Sequence, residues 1–486
     1  MTAASTNRWL VLVLVCVAQF MVILDATIVN VALPSIERGL HFSPTGLQWV
    51  VNAYTLVFGG FLLLGGRAAD LFGTQRLFIA GLLLFSAASL VNGIATSAGM
   101  LVGGRAIQGL GAALVSPAAL AIITTTFADG RERTKALGVW SAIAAGGGAA
   151  GLVLGGVLTE TLSWRWVFFI NLPIGIAAAL FSLRMISNES AEEKPETSDV
   201  AGAVTVTTGL LVLVYGIVKA SSYGWGSART IGLFAAAVAL LVSFVVIELR
   251  SRAPLIRLSI FRIRSLSVAN VSMLLVGSAL FSMFYFASLY VQQLLGYSPI
   301  KAGLAFLPFT VGIVIGAGAA QQLIRRIGVR ATTVGGLVIA TIGMLLFTRI
   351  TLEGTYLGQL FPAVIVTSIG LGLTFVPITL LATTNVPAGD AGLASGLFNT
   401  SQQIGGALGL AILSTLAATW TSHKLDALAH KASFSERATT VISGYHLAFF
   451  VGGGLMAIAI VLLATLIRKR DVEQIQTEEE PMALAA

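Results

Sequence analysis

Apolar residues run along this chain in long unbroken blocks, not in the striped patterns of a water-soluble protein. Fourteen blocks reach about the 20 residues that a helix needs to cross a hydrocarbon core. They cover 9–33, 47–66, 77–97, 98–125, 135–159, 165–186, 200–219, 229–249, 266–290, 300–323, 331–350, 356–383, 393–420 and 444–467. Backbone amides in lipid must find partners within their own segment, and no block alternates as a barrel strand would, so all fourteen are predicted as helices. The expected class is an all-α integral membrane protein.

Two polar interruptions divide the blocks. "SNESAEEKPETSD" at 187–199 is acidic and carries a proline, as a linker does. "RSRAPLIRLSIFRIRS" at 250–265 sets apolar residues among basic ones and suits anionic headgroups. One hairpin of two helices lies between them. The predicted layout is a six-helix bundle over 1–186, linkers and two extra helices over 187–265, a second six-helix bundle over 266–468 and a tail over 469–486. The bundles echo each other. "AADLFGTQR" (68–76) joins the second and third blocks, and "QLIRRIGVR" (322–330) joins the tenth and eleventh. Repeated halves around a shared site are common among membrane transporters.

Composition agrees with lipid as the solvent. Of 486 residues, 56% are hydrophobic and 10% charged, against about 25% charged in a soluble protein. The net charge of +8 would suggest nucleic acid if the cations formed one stripe, but they follow the helix ends. With the N-terminus inside, 19 Lys and Arg fall on the cytoplasmic side and 10 elsewhere, three of those in one long outer loop at 421–443. That bias predicts a multi-pass protein of the plasma membrane with both termini cytoplasmic, and no nucleic-acid partner. The first block is too long for a signal-peptide core and lacks an A-x-A site, so it is expected to be retained. Cys16 is the single cysteine, so no disulfide forms within one chain and no metal cluster is indicated. There is no GxxxxGK[ST] loop to bind ATP, no HExxH and no nucleophile–base pairing among the four scattered histidines. The expectation is a monomer that is not an enzyme and needs no cofactor or metal.

The first block, "FMVILDATIVNVALP" (20–34), holds a carboxylate in its middle. A charge at the bilayer centre costs roughly 2.5–3.5 kcal/mol, so it is rare and usually functional. Asp25 lies roughly 12 Å below the outer end of its helix, and Arg105 roughly 10 Å into the fourth, at 1.5 Å per residue. Desolvation favours the neutral acid and a nearby guanidinium favours the carboxylate, so a change in water access or separation would move a proton. Asp25 and Arg105 are the predicted proton-coupling pair; the alternative is a structural ion pair. Gln108 lies one turn from Arg105 on the same face and can position it or simply pack. Asn30 is about 140° around the helix from Asp25, so it bonds a neighbouring helix or lines a cavity. Tyr54, Phe284, Tyr290 and Gln292 are further candidates for a substrate cavity. Trp49 and His446 read as interfacial residues. Gly147, Gly151 and Gly155 recur at fourfold spacing in the fifth helix, with Gly156 beside the last, for static close packing or for a moving contact.

Several stretches, in order and on the right helices, resemble the major facilitator superfamily, specifically its fourteen-span drug:proton antiporter branch. "LDATIVNVALPSI" (24–36) is similar to the first-helix signature and "GGRAADLFGTQR" (65–76) to the loop between helices two and three. "RAIQGLGAAL" (105–114) matches R-x-x-Q-G, and "GAAGLVLGG" (148–156) resembles the antiporter pattern of helix five. "LYVQQLLGYSPIKAGLAFLP" (289–308) and "GLASGLFNTSQQIGGALG" (392–409) resemble the branch's second half. Departures are Leu71, Thr74 and Gln75 where basic residues are usual, Leu152 for the helix-five proline, and Gln402 where arginine is frequent. The resemblance implies two six-helix bundles plus an inserted hairpin, proton coupling through Asp25 and Arg105, and inner-side gating through Asp70, Gly73 and Arg76. A capping role is the alternative for Asp70. One buried acid suits a lipophilic monovalent cation that competes with the proton. The expected function is a proton-coupled antiporter exporting lipophilic drugs; the alternatives are a dedicated exporter of one metabolite or antibiotic, and a non-transporting sensor.

Overall fold

A computed structural model describes residues 7–127, 131–186, 199–251, 254–387, 390–427 and 433–468. Among them all regular structure is helical. The long helices are α1 (Arg8–Leu40), α2 (Trp49–Phe72), α3 (Thr74–Gly93), α4 (Ala98–Thr126), α5 (Arg131–Thr161), α6 (Asn171–Met185), α7 (Val200–Tyr223), α8 (Ala228–Arg250), α9 (Arg264–Leu289), α10 (Leu307–Ile327), α11 (Val329–Leu346), α12 (Phe361–Thr383), α13 (Ala391–Asp426) and α14 (Phe434–Leu466). Thirteen segments of the described chain are long and apolar enough to cross a membrane. The glycine-rich α5, with 31 residues, occupies the remaining expected position.

Local chemistry sets the boundaries. Asn7 and Ser97 accept backbone N–H bonds at the starts of α1 and α4, filling donors that a helix start leaves open. Gly73 (φ 90°) and Gly328 (φ 83°) each separate two helices with a single residue, a backbone that a Cβ would strain. The sixth and tenth blocks are each broken in two. A short helix at Trp166–Phe169 precedes α6, and another at Pro299–Ala305 precedes α10, where Pro308 occupies the first turn and favours a new start.

Two expectations need correction. The stretch 421–443 is mostly helix, because α13 runs on to Asp426 and α14 begins at Phe434. Ser433 and Glu436 close a reciprocal cap there, a start signal that outweighs the polar composition. The basic linker also does not lay all its apolar residues on headgroups. Ile260 is 5% exposed and packs against Leu266, Ala394 and Leu397, while Phe261 stays exposed. Most of the acidic linker, parts of the basic one and the tail lie outside the described residues.

The chain forms two compact units: Met1–Tyr215 with Ile231–Leu255 and Tyr297–Leu304, and Gly216–Thr230 with Ile256–Gly296 and Ala305–Ala486. In the first, α1 packs on α4, α5 and α6, α4 packs on α2 and α3, and α3 packs on α6. In the second, α9 packs on α12, α13 and α14, α12 packs on α10 and α11, and α11 packs on α14. Each contact recurs eight helices later. The inserted hairpin joins the first unit through α7, where Thr207 lies against Gly60 and Tyr215 meets the Trp49 ring at 6.3 Å. Trp49 therefore has a protein neighbour. Only 11% of the apolar stretch of α8 is buried, so the outer helix of the hairpin faces lipid over most of its surface.

Candidate functional site

Asp25 sits halfway along α1, and α4 carries Arg105 on the face turned towards it. Both are fully enclosed, at 0% and 1% exposure, and Arg105 Nη1 donates to Asp25 Oδ2. Gln108, one turn along α4, donates from Nε2 to Asp25 Oδ1 at 2.8 Å and accepts from Arg105 Nη1 at 2.8 Å. It therefore locks acid and base together. Arg105 Nε donates to the Val50 carbonyl at 3.0 Å, and its guanidinium lies 4.2 Å from the centre of the Tyr54 ring. A buried ion pair offsets its desolvation only with geometry and extra hydrogen bonds of this kind.

Three neutral side chains that sequence reasoning missed complete the network. Asn171, the first residue of α6, donates from Nδ2 to Asp25 Oδ1 at 2.9 Å. Ser89 of α3 accepts from Gln108 at 2.7 Å and from Asn171 at 3.4 Å. Asn92 donates to Gln108 Oε1 at 2.8 Å. Four helices thus converge on one carboxylate, and every group that hydrogen-bonds it donates. The available signal was the clustering of Ser, Asn and Gln in otherwise apolar helices.

Other expected residues have different surroundings. Asn30 donates to Ala26 O of its own helix at 3.2 Å. Tyr54 is buried beside Arg105, its hydroxyl 3.5 Å from Val22 O. Phe284 packs on Phe306 and Phe309, at 5.9 and 4.7 Å between ring centres. The buried Tyr290 gives its O–H to Thr351 O at 2.7 Å, and Gln292 donates to Ser288 at 3.1 Å. These three lie in the second unit and Asp25 in the first, each with its own set of contacts. His446 is twelve residues into α14 and pairs with Ile350 O at 2.7 Å, so it is tied to protein.

Of the gating candidates, Gly73 makes the turn between α2 and α3 and Arg76 is exposed; the Asp70 side chain lies outside the described residues. Gln75, which replaces a usual cation, donates to the terminal carbonyls of α6, Ser182 O at 3.0 Å and Ile186 O at 2.8 Å. Gly147, Gly151 and Gly155 face α1, where a Cβ would meet Ile23, Thr27 and Ile28. Gly156 instead faces the backbone of Pro299 and Ile300. At the same end of α5, Glu160 accepts the Ile300 N–H at 2.9 Å. That bond, with a smaller contribution from the Ser298 hydroxyl, holds the exposed carboxyl below the usual carboxylate range. Among the described residues no cluster of three or more metal-ligating side chains occurs.

A duplicated six-helix architecture, here with an ion pair buried inside its first unit, is common among membrane transporters, and the sequence places the chain among them. The profile of the Major Facilitator Superfamily matches residues 15–410, and the chain belongs to that superfamily of transporters; it is not an enzyme. It is 40% identical over 469 residues to the puromycin resistance protein pur8 of Streptomyces alboniger, covering 96% of this chain and 92% of that one. It is 41% identical over 424 residues to the cephamycin export protein CmcT of Amycolatopsis lactamdurans, covering 87% of each. The tetracenomycin C resistance and export protein of Streptomyces glaucescens is 32% identical, with 99% and 96% covered. Among solved structures, an inward-facing, unoccupied bacterial homolog of the human lysosomal transporter Spinster matches with a TM-score of 0.68 at 15% identity, over 96% of this chain and 98% of that one. That likeness concerns the fold alone.

Proposed function

We propose that this chain is a proton-coupled antiporter that exports lipophilic, cationic drugs or antibiotics by alternating access. It works in the plasma membrane with both termini cytoplasmic. The observation that carries the reading is the enclosure of Asp25, a mid-helix acid held against a buried arginine by neutral donors. As a carboxylate it is satisfied by three donors. As a neutral acid it is less costly in a dry site, where an ionised group pays for desolvation. A change in water access or a competing cation can then exchange the two states. A proton taken from outside and released inside then drives cargo outwards. The relatives named for puromycin, cephamycin and tetracenomycin C support export of antibiotics.

Because each of those names specifies one compound, a dedicated exporter of a single antibiotic is the second reading. The test is a panel of fluorescent cations and antibiotics in inverted vesicles energised by an imposed proton gradient. Uptake of several unrelated cations, abolished by an uncoupler, supports the broad reading. Uptake of one compound supports the dedicated one. No uptake under any gradient overturns both.

A further inference from the structure

Gln108 and Asn171 both give an amide N–H to Asp25 Oδ1, yet they differ at their other ends. Gln108 Oε1 accepts from Arg105 Nη1 and from Asn92 Nδ2, each at 2.8 Å, so its amide has one satisfactory orientation. Asn171 is completely buried, and its Oδ1 has no hydrogen-bond partner. Turning the Asn171 amide over would exchange an unpaired oxygen for an unpaired N–H and, apart from the bond to Asp25, would give up only the long 3.4 Å bond to Ser89 Oγ. The terminal amide torsion is two-fold and soft. Its orientation is therefore decided by what Asp25 presents.

We infer that Asn171 is a positioning residue whose side-chain amide reverses with the proton on Asp25. It donates Nδ2–H to the carboxylate and accepts the carboxylic O–H on Oδ1. This inference rests on Asp25 being the proton carrier. When Asp25 is protonated it gains a donor, and Arg105, Gln108 and Asn171 all approach it as donors in the structure. Arg105 has no acceptor to offer and Gln108 is pinned, which leaves Asn171 to supply one. The surroundings hold few other charges. The titratable or charged groups facing Asp25 are Arg105 from α4 and Tyr54 from α2. The α3 and α6 helices present Ser89 and Asn171, and α5 has no titratable residue between Val139 and Thr159. A reversing amide thus serves both protonation states without moving a charge. The carboxylate keeps Arg105 and Gln108 whichever way Asn171 points, so loss of Asn171 falls harder on the neutral acid.

The test is infrared difference spectroscopy, acid minus neutral, on the full chain in lipid vesicles with the asparagine side-chain carbonyl isotopically labelled. The expected spectrum contains a carboxylic-acid band that Asp25→Asn removes. It also contains a labelled amide band that both Asn171→Leu and Asp25→Asn remove. In proton-driven exchange, Asn171→Leu should shift the pH midpoint about one unit towards acid, a tenfold loss of proton affinity. Asn171→Thr, whose hydroxyl both donates and accepts, should keep the midpoint within a third of that shift. The wild-type amide band needs no variant to fold. An Asp25 band without any coupled amide band, or an unshifted Asn171→Leu midpoint, overturns the inference and leaves proton coupling intact. No Asp25 band across the pH range overturns both.

Discussion

The two halves of the molecule share a scaffold and differ in chemistry. The helix pairs of α1–α6 recur in α9–α14. Gly73 and Gly328 make the same turn. Two residues beyond each, Gln75 donates to the last carbonyls of α6 and Arg330 to Ala464 O near the end of α14. Glycines seat α5 on α1 and α13 on α9, Gly405 against Leu274 O and Gly409 against Ser278. Charge breaks the correspondence. Asp25 and Arg105 meet on α1 and α4, while α9 beyond Arg264 and all of α12 contain no Asp, Glu, Lys or Arg. Bonds such as Ser278 Oγ to Gly405 O at 2.8 Å, and Ser401 Oγ to Asn270 Oδ1 at 2.8 Å, serve there instead. The duplicated parts are those that packing requires, and the unduplicated part is the candidate site.

The largest expected break comes from the charges. Arg105→Ala leaves a buried carboxylate without its counter-ion and should destabilise the protein by about 3–5 kcal/mol, read as thermal unfolding in detergent. Asp25→Asn keeps the shape and should leave surface expression intact while transport falls to that of empty vesicles. Ser278→Ala in the other half should cost about 1 kcal/mol and leave transport in place. Next come the close-packed glycines. A Cβ at Gly405 would lie 2.1 Å from Leu274 O, and one at Gly155 would lie 2.8 Å from Ile28 O. Gly405→Ala should therefore cost more than Gly155→Ala, both within about 1–3 kcal/mol for overpacking. Gly73→Ala and Gly328→Ala should each cost about 1–2 kcal/mol through positive φ, and near-equal losses would sharpen the correspondence. Arg330→Gln gives the second half the first half's capping residue and should change stability by under about 0.5 kcal/mol.

The smallest effect depends on pH. Because the folded carboxyl of Glu160 titrates below its usual range, the hold on Ile300 is present at neutral pH and above. It is lost as the pH falls through that depressed value. Hydrogen exchange at the Ile300 amide, corrected for its intrinsic pH dependence, should speed up in acid, and Glu160→Gln should remove the change.

Much of this was legible before the fold was known, for physical reasons. Crossing hydrocarbon demands some 20 apolar residues, so the helices showed as blocks. An ionised group in such a block is costly, so Asp25 and Arg105 stood out. Gln108 was placed on the Arg105 face by helical periodicity. Asn171 and Ser89 carry no charge, and small polar side chains occur throughout these helices, so their clustering was too weak a signal to mark them until α3 and α6 were seen to close on the Asp25–Arg105 pair. The break at Ile170, which starts α6 at Asn171, lies within a continuous apolar run. Contacts such as Glu160 to Ile300, 140 residues apart, leave no local pattern. The cap that starts α14, Ser433 with Glu436, was hidden in a polar stretch that read as loop.

In the proposed cycle Asp25 changes its charge as cargo binds. Proton release by purified protein in weakly buffered detergent solution, on addition of a lipophilic cation found to be transported, tests it most directly. The wild type should release protons, approaching one per protein at saturation, and Asp25→Asn that still binds the cation should release none. Equal release from both proteins, or cation binding by the wild type with no proton released at any pH, would contradict it.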